Sequence, residues 1–341
     1  MMLVIALAAV AFVSLMAPFV LRPFLRHLDV VDVPNARSAH TQAVLRGGGL
    51  GPLLALAIGC SILVASLPSV ESVTVLRVIV GVSVASAVLG WIEDVRGVSI
   101  RVRAGAQICI GLIASSIVVG HAGVAPWLVV VFTIGVAGYI NVANFMDGVN
   151  GISALHGTVV GVTYAILGVV FELPWLAITG GIVALAFFGF LPWNLRGRIF
   201  LGDVGSYLLG GSISITAVAA LAHGVPFLAV IAPLIVYLAD AGFTLVSRVI
   251  RGRRWSDAHR DHVYQRLTDS GISHFRVALL VTGLSLCAGA IGIWAAVKHL
   301  PWPIEIVLLS AILAAYFVWG AVATCLKRTS TEMIDREGMN S

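Results

Sequence analysis

Charge is what this chain has least of. Of its 341 residues only 11% are Asp, Glu, Lys or Arg, against about 25% in an ordinary soluble domain. Hydrophobic residues make up 59%, and the mean hydropathy is +1.03. One soluble core cannot bury that excess, so a soluble enzyme is a poor reading. A disordered or fibrous chain is excluded with it. Ten-residue alternating segments, the mark of a membrane β-barrel, are missing as well. Cysteine is scarce: Cys60, Cys109, Cys287 and Cys325 lie in or at the ends of apolar runs. No CxxC or Cys/His metal spacing exists, and all four read as buried thiols.

What is there is a series of long apolar runs, at about 1–21, 47–67, 73–92, 104–120, 125–143, 154–171, 174–192, 204–222, 226–246, 275–297 and 301–325. A span needs roughly 20 such residues. The pattern predicts an all-α polytopic membrane protein of about eleven helices. It is expected to form one transmembrane domain over 1–325, followed by a polar tail, 326–341, expected to be disordered. The first run has no basic leader and is followed by Arg22 and Arg26, which reads as an uncleaved helix with its N-terminus outside. Nineteen of the 21 Lys and Arg fall in alternate connections, with only Arg77 and Lys298 opposite. The positive-inside rule makes the basic side, and the C-terminus, cytoplasmic. The net charge of +5 would raise nucleic acid as a partner in a soluble protein. Here the charge orients a membrane protein, and no nucleic acid is expected.

Ionisable residues at mid-membrane are the other shortage. A coupled transporter or flippase usually places them there, on broken helices. Asp240 is the single candidate, near the inner end of its run, so the pattern favours chemistry at the membrane face.

Five connections on the basic side carry distinctive polar sequence. Asp32-Val-Pro-Asn35-Ala-Arg37-Ser-Ala-His40 leads to Arg46-Gly47-Gly48-Gly49, whose glycines allow close backbone approach and whose N–H groups can face an anion. Glu93-Asp94 sets two carboxylates side by side at a helix end, a costly pair that a cation or a transferable proton would relieve. Asn141, Asn144 and Asp147 recur every three residues along one helix face, before Gly148-Val-Asn150-Gly151, and supply hard oxygen ligands suited to Mg²⁺. Gly202-Asp203-Val-Gly205-Ser206 places a carboxylate at a helix start, as a cap or as a metal ligand beside an anion site. His259-Arg260-Asp261-His262-Val-Tyr264-Gln265-Arg266 combines two histidines and an arginine able to clamp phosphate. Carboxylates for Mg²⁺ with Arg and His for phosphates make a phosphoryl-transfer constellation. A lipid phosphate and a soluble nucleotide-linked donor fit its position.

In this order the five segments resemble the polyprenyl-phosphate N-acetylhexosamine-1-phosphate transferases. That superfamily includes the peptidoglycan translocase and the enzymes that initiate O-antigen and related polysaccharides, and the form of the motifs looks closest to the latter. Two positions depart from the pattern: the family's adjacent Asp-Asp is Glu93-Asp94, and the second aspartate of Asp-Gly-x-Asp-Gly is Asn150. The resemblance implies transfer of a sugar-1-phosphate from a UDP-sugar to polyprenyl (undecaprenyl) phosphate, with release of UMP, in the bacterial inner membrane. It implies Mg²⁺, with Mn²⁺ the alternative, held by Asp203 and Asn144. Glu93, Asp94 and Asp147 become the catalytic carboxylates. Asn35, Arg37, His40, Arg46, Gly48, Asn150, His259, His262 and Arg266 become substrate contacts. A homodimer is compatible with the pattern.

Overall fold

The computed structural model describes residues 2–32, 43–64, 69–254 and 259–339, the last fourteen of these by backbone alone. Asn35, Arg37 and His40 lie outside the described residues.

The chain is a helical bundle, because in lipid every backbone polar group must be satisfied within its own segment. Its helices are α1 (Met2–His27), α2 (Leu50–Leu63), α3 (Val70–Arg96), α4 (Ile100–Ala122), α5 (Leu128–Met146), α6 (Ile152–Val170), α7 (Pro174–Leu195), α8 (Gly202–Ala222), α9 (Phe227–Ile231), α10 (Ile235–Ile250), α11 (Val263–Asp269), α12 (His274–Lys298) and α13 (Trp302–Met339). A 3₁₀ turn over Ala232–Leu234 joins α9 to α10, so one span is broken near Pro233. Val31–Asp32 and Val44–Leu45 pair antiparallel as β1 and β2, with Val31 opposite Leu45.

Ten helical segments among the described residues are long and apolar enough to cross a membrane. The second run is present as the shorter apolar helix α2, of 14 residues, and with it the described helices agree with the expected count of about eleven. At 1.5 Å per residue α2 extends about 21 Å, short of a ~30 Å hydrocarbon core. Gly47, Gly48 and Gly49, counted with the apolar run, form a turn ahead of the helix, and residues 65–67 at its other end lie outside the described residues. The polar tail continues α13 as helical backbone to Met339, as its Lys, Glu, Met and Arg residues favour. Of the cysteines only Cys60 is buried; Cys109, Cys287 and Cys325 are on the surface. An apolar run alone does not say which face of its helix meets lipid.

The centre of the bundle is α8, buried along nearly its whole length. Helices alternate in direction around it, which brings the connections after α1, α3, α5, α7 and α10 to one end. There α8 begins in backbone contact with two neighbours. A Cβ on Gly49 would stand 2.2 Å from the Gly205 Cα, and one on Gly90 of α3 would stand 2.2 Å from the Asp203 carbonyl oxygen. Only glycine permits either approach. At the opposite end His223 Nε2 meets Glu71 at 3.1 Å.

Candidate active site

The site is built around the first turn of α8. Leu201, at the N-cap position, offers no side-chain acceptor. The acceptor comes from α3 instead. Asp94 Oδ1 accepts from the Asp203 N–H at 3.0 Å, and Asp94 Oδ2 from the Val204 N–H at 2.9 Å. Free N–H groups and the helix dipole both favour an anion at this place. Arg46, from the loop after β2, closes the arrangement, with one guanidinium nitrogen 2.8 Å from Asp94 and 3.6 Å from Asp203. The Asp94 side chain is fully buried, whereas that of Asp203 is 21% exposed. The neighbouring carboxylates hold the Arg46 guanidinium above its ordinary pKa against the opposing effect of burial.

Asn144 approaches Asp203 from α5. Its amide nitrogen donates to Asp203 Oδ1 at 2.8 Å and to Ser206 Oγ at 3.1 Å. Asn141, one turn earlier, turns away and donates to Gln107 of α4 at 2.6 Å. The three-residue repeat therefore splits between two neighbours. Asp147 lies just past the helix, with φ −86° and ψ 52°. Burial, with help from the Asp203 and Asp94 carboxylates, pushes its carboxyl up to about 7, against a lowering contact with Ser153. Asn150 follows beside Gly197, and the Gly151 N–H is held by Asn194 Oδ1 of α7 at 2.8 Å.

Glu93 and Asp94 do not act as a pair. Glu93 Oε1 accepts from Arg103 of α4 at 3.2 Å, and its Oε2 is buried without a partner among the described residues. The glutamate's extra methylene carries it across to α4. Arg103, which the sequence reading did not single out, sits close enough for its charge to reach Asp203. Gly48 is also used differently from the anion-facing expectation. Its N–H donates to the Phe200 carbonyl at 2.9 Å, and that of Gly49 to Leu201 at 2.9 Å. These glycines weld the loop to the start of α8.

The remaining residues come from the connection between α10 and α12. The Tyr264 hydroxyl donates to the Phe145 carbonyl at 2.9 Å, and Gly148 gives it room. That bond docks α11 on the Asn144–Gly148 strip. The His259 and His262 rings lie 5.2 Å apart, and His262 lies 6.3 Å from Phe145. Burial, together with the charges of His262 and Arg248, pushes His259 below its ordinary pKa. Arg266 keeps a buried Nε with no partner among the described residues, an unused donor suited to an anion. Asp240, the one transporter-like carboxylate, is wholly engaged. It accepts from the His262 ring, the Val263 and Tyr264 N–H groups, and the Tyr316 and Thr244 hydroxyls.

Sequence reasoning also passed over a buried polar stack. His156 of α6 lies face to face with Tyr237 at 3.6 Å, and its Nε2 meets the Tyr139 hydroxyl at 2.7 Å. A histidine near the start of an apolar run was the only signal for it.

The arrangement has two parts: acidic and amide oxygens around Asp203 and Arg46, whose charges reach Asp147, and the histidine connection, docked on Phe145 through Tyr264. Among the described residues no three His, Cys, Asp or Glu side chains gather into a closed metal cage. Such a site suits a membrane enzyme acting on phosphate groups.

Comparison with known proteins agrees. Residues 76–221 match the model of glycosyl transferase family 4. The chain is 30% identical over 300 residues to the decaprenyl-phosphate N-acetylglucosaminephosphotransferase of Mycolicibacterium smegmatis, covering 74% of this chain and 71% of that protein. It is 24% identical over 305 residues to the undecaprenyl-phosphate alpha-N-acetylglucosaminyl 1-phosphate transferase of Thermotoga maritima, covering 83% and 88%. A shorter stretch of 113 residues is 34% identical to the phospho-N-acetylmuramoyl-pentapeptide-transferase of Desulforudis audaxviator, covering 31% and 34%. The chain belongs to glycosyl transferase family 4, among the polyprenyl-phosphate hexosamine-1-phosphate transferases.

Proposed function

We propose that this protein transfers an N-acetylhexosamine-1-phosphate from a UDP-sugar to polyprenyl phosphate, as the first lipid-linked step of a cell-envelope polysaccharide. The observation that carries the reading is the junction of Asp203, Asn144 and Arg46 at the start of α8, beside Asp147 and the histidine connection. An oxygen of the lipid phosphate attacks the sugar-linked phosphorus of the donor. The bond from that phosphorus to the bridging oxygen breaks, and the electron pair leaves with UMP. The acceptor is undecaprenyl phosphate in a bacterial inner membrane, and the site faces the cytoplasm, where the donor is made.

Roles follow from what each side chain has free. Asp94 spends both oxygens on α8 and its charge on Arg46, so it holds the site together. Asp147, at a helix end and adjustable in charge near neutrality, orients the lipid phosphate or takes its proton. A phosphate monoester is already mostly ionised at pH 7, its second pKa being about 6. Positioning and charge neutralisation therefore supply most of the rate. Asp203 and the Asn144 carbonyl oxygen fit Mg²⁺, with Mn²⁺ the alternative; one or two carboxylates plus substrate phosphates are its usual protein setting. When bound, the ion would neutralise the donor diphosphate. Arg266, His259 and His262 hold donor phosphates or sugar, and Asn150 hydrogen-bonds the nucleotide.

The test is release of UMP by purified protein given polyprenyl phosphate and a panel of UDP-N-acetylhexosamines. Turnover that requires both lipid and donor is expected. Absence of UMP with every donor, from protein that remains folded in detergent, would overturn the reading.

A further inference from the structure

The Asp240 carboxylate is fully buried in a membrane helix, and among the described residues it pairs with no arginine. The one basic side chain paired with it among the described residues is His262, whose Nδ1 lies 3.3 Å from Asp240 Oδ1. A carboxylate only accepts, so Nδ1 is the donor. The other ring nitrogen, Nε2, has no partner among the described residues. The ring lies beside Phe145, between the two polar members of the Asn144–Asp147 motif.

We propose that Asp240 is a positioning residue for the transfer reaction. It locks the His262 ring with Nδ1–H inward, so that Nε2 meets a phosphate oxygen of the nucleotide-linked donor. The inference rests on the function proposed above and gives that site a specific orienting device. The logic is that of any histidine whose working nitrogen is set by the bond its other nitrogen makes. Asp240 reinforces the orientation by accepting from the Val263 and Tyr264 N–H groups at 3.0 and 3.3 Å, which fixes the start of the helix that follows His262. Tyr316 Oη, at 2.7 Å from Asp240 Oδ2, holds the carboxylate from α13. No proton moves in this role. Asp240 supplies an orientation, and the bonds made and broken are those of the phosphoryl transfer alone.

The experiment is a double-mutant cycle on the full-length enzyme in detergent. Asp240→Asn is expected to lower kcat about tenfold to a hundredfold, the usual cost of removing the partner behind a working histidine, with the donor KM within about threefold. His262→Gln lowers kcat by at least as much. Asp240→Asn placed on top of His262→Gln costs less than about a further twofold, because the residue it acts through is already gone. Thr244→Val and Tyr316→Phe remove other bonds to Asp240 and retain most activity. Losses that multiply in the double variant, or Tyr316→Phe losing as much kcat as Asp240→Asn, would overturn the proposal in favour of simple helix packing. ¹⁵N spectra of histidine-labelled protein, with His262→Gln for assignment, read the ring without turnover. A proton fixed on His262 Nδ1 in the wild type and lost in Asp240→Asn is expected, and its absence in the wild type refutes the orientation. Failure of the wild type to release UMP would sink the proposed function, while the ¹⁵N result would still decide the Asp240–His262 pairing.

Discussion

Replacing Asp94 by alanine separates a structural carboxylate from a chemical one. Asp94 holds two N–H groups in the first turn of α8 and neutralises Arg46 at 2.8 Å, with its own side chain wholly buried. Loss of a helix cap costs about 1 kcal/mol. Breaking a buried ion pair costs about 3–5 kcal/mol. The Arg46 side chain is 31% exposed and recovers some hydration, so the lower end applies. The sum is about 4 kcal/mol, a large share of the net stability of any domain. Asp94→Asn keeps one acceptor oxygen and falls between alanine and wild type. Asp203→Asn should behave in the opposite way. It removes a charge from a crowded carboxylate region, keeps an oxygen for Asn144 and changes stability by less than about 1 kcal/mol, yet abolishes UMP release. SDS-induced unfolding in mixed micelles, followed by circular dichroism, gives stability, and UMP release gives activity. Across the Asp94 series the two should fall together. If Asp94→Ala were inactive but as stable as the wild type, the capping argument would be wrong and Asp94 would belong to the chemistry.

Other outcomes follow from the same geometry. Gly90→Ala should abolish turnover, because its Cβ meets the Asp203 carbonyl oxygen and carbon at 2.2 and 2.4 Å, and overpacking of this kind costs about 1–3 kcal/mol. Gly81→Ala on the same helix meets nothing within 4 Å and should be silent in the same unfolding and UMP assays. Asp147 has a folded-state pKa of about 7, raised above its ordinary value. The folded protein thus retains a proton the unfolded chain has lost, and Asp147 destabilises the fold increasingly as pH rises from about 4 through 7. Asp147→Asn should accordingly unfold at a higher temperature than wild type at pH 8.5, with the gain vanishing near pH 4, and it should not release UMP. Chelation by EDTA should stop UMP release, with Mg²⁺ restoring it best and Mn²⁺ next. Undiminished activity after exhaustive chelation would remove Asp203 and Asn144 from any metal role.

Much of this was legible in the sequence because lipid leaves few places for polar residues. Once the scarce charges were placed in alternate connections, the helix alternation had to bring their motifs to one end. Asp203, Asn144, Asp147 and Arg46 do meet there. What the sequence concealed is how that end is held. Helix caps are normally local, within three residues of the helix they serve, and no pattern search looks further. Here the start of α8 is capped from 109 positions away by Asp94, and the start of α6 from 43 positions away by Asn194. The start of α11 is capped from 23 positions away by Asp240. Each case reads in sequence as something else: Asp94 as half of a catalytic pair, Asp240 as a transporter's midplane charge, Asn194 as nothing at all. The triple glycine misled in the same direction, since N–H groups free to bind an anion and N–H groups committed to Phe200 and Leu201 look identical in one dimension. Glu93 inverts the lesson. It departs from the paired-aspartate pattern, and its longer arm reaches Arg103 and ties α3 to α4 beside Asp203.

The long-range caps have a consequence for how such a site works. Binding a diphosphate requires several anionic and cationic groups to sit close together before the ligand arrives, and like charges on mobile loops would drift apart. When carboxylates cap helices of other segments, the helices cannot shift without uncovering buried N–H groups, a cost of about 1–3 kcal/mol for each donor left unsatisfied. Asp94 and Asp240 therefore convert helix packing into fixed positions for Asp203 and His262, one in each part of the site. The rigid elements of the bundle do the positioning, and on the function proposed above the side chains left partly uncommitted, Asp147, Arg266 and His262 Nε2, would be the ones to meet substrate.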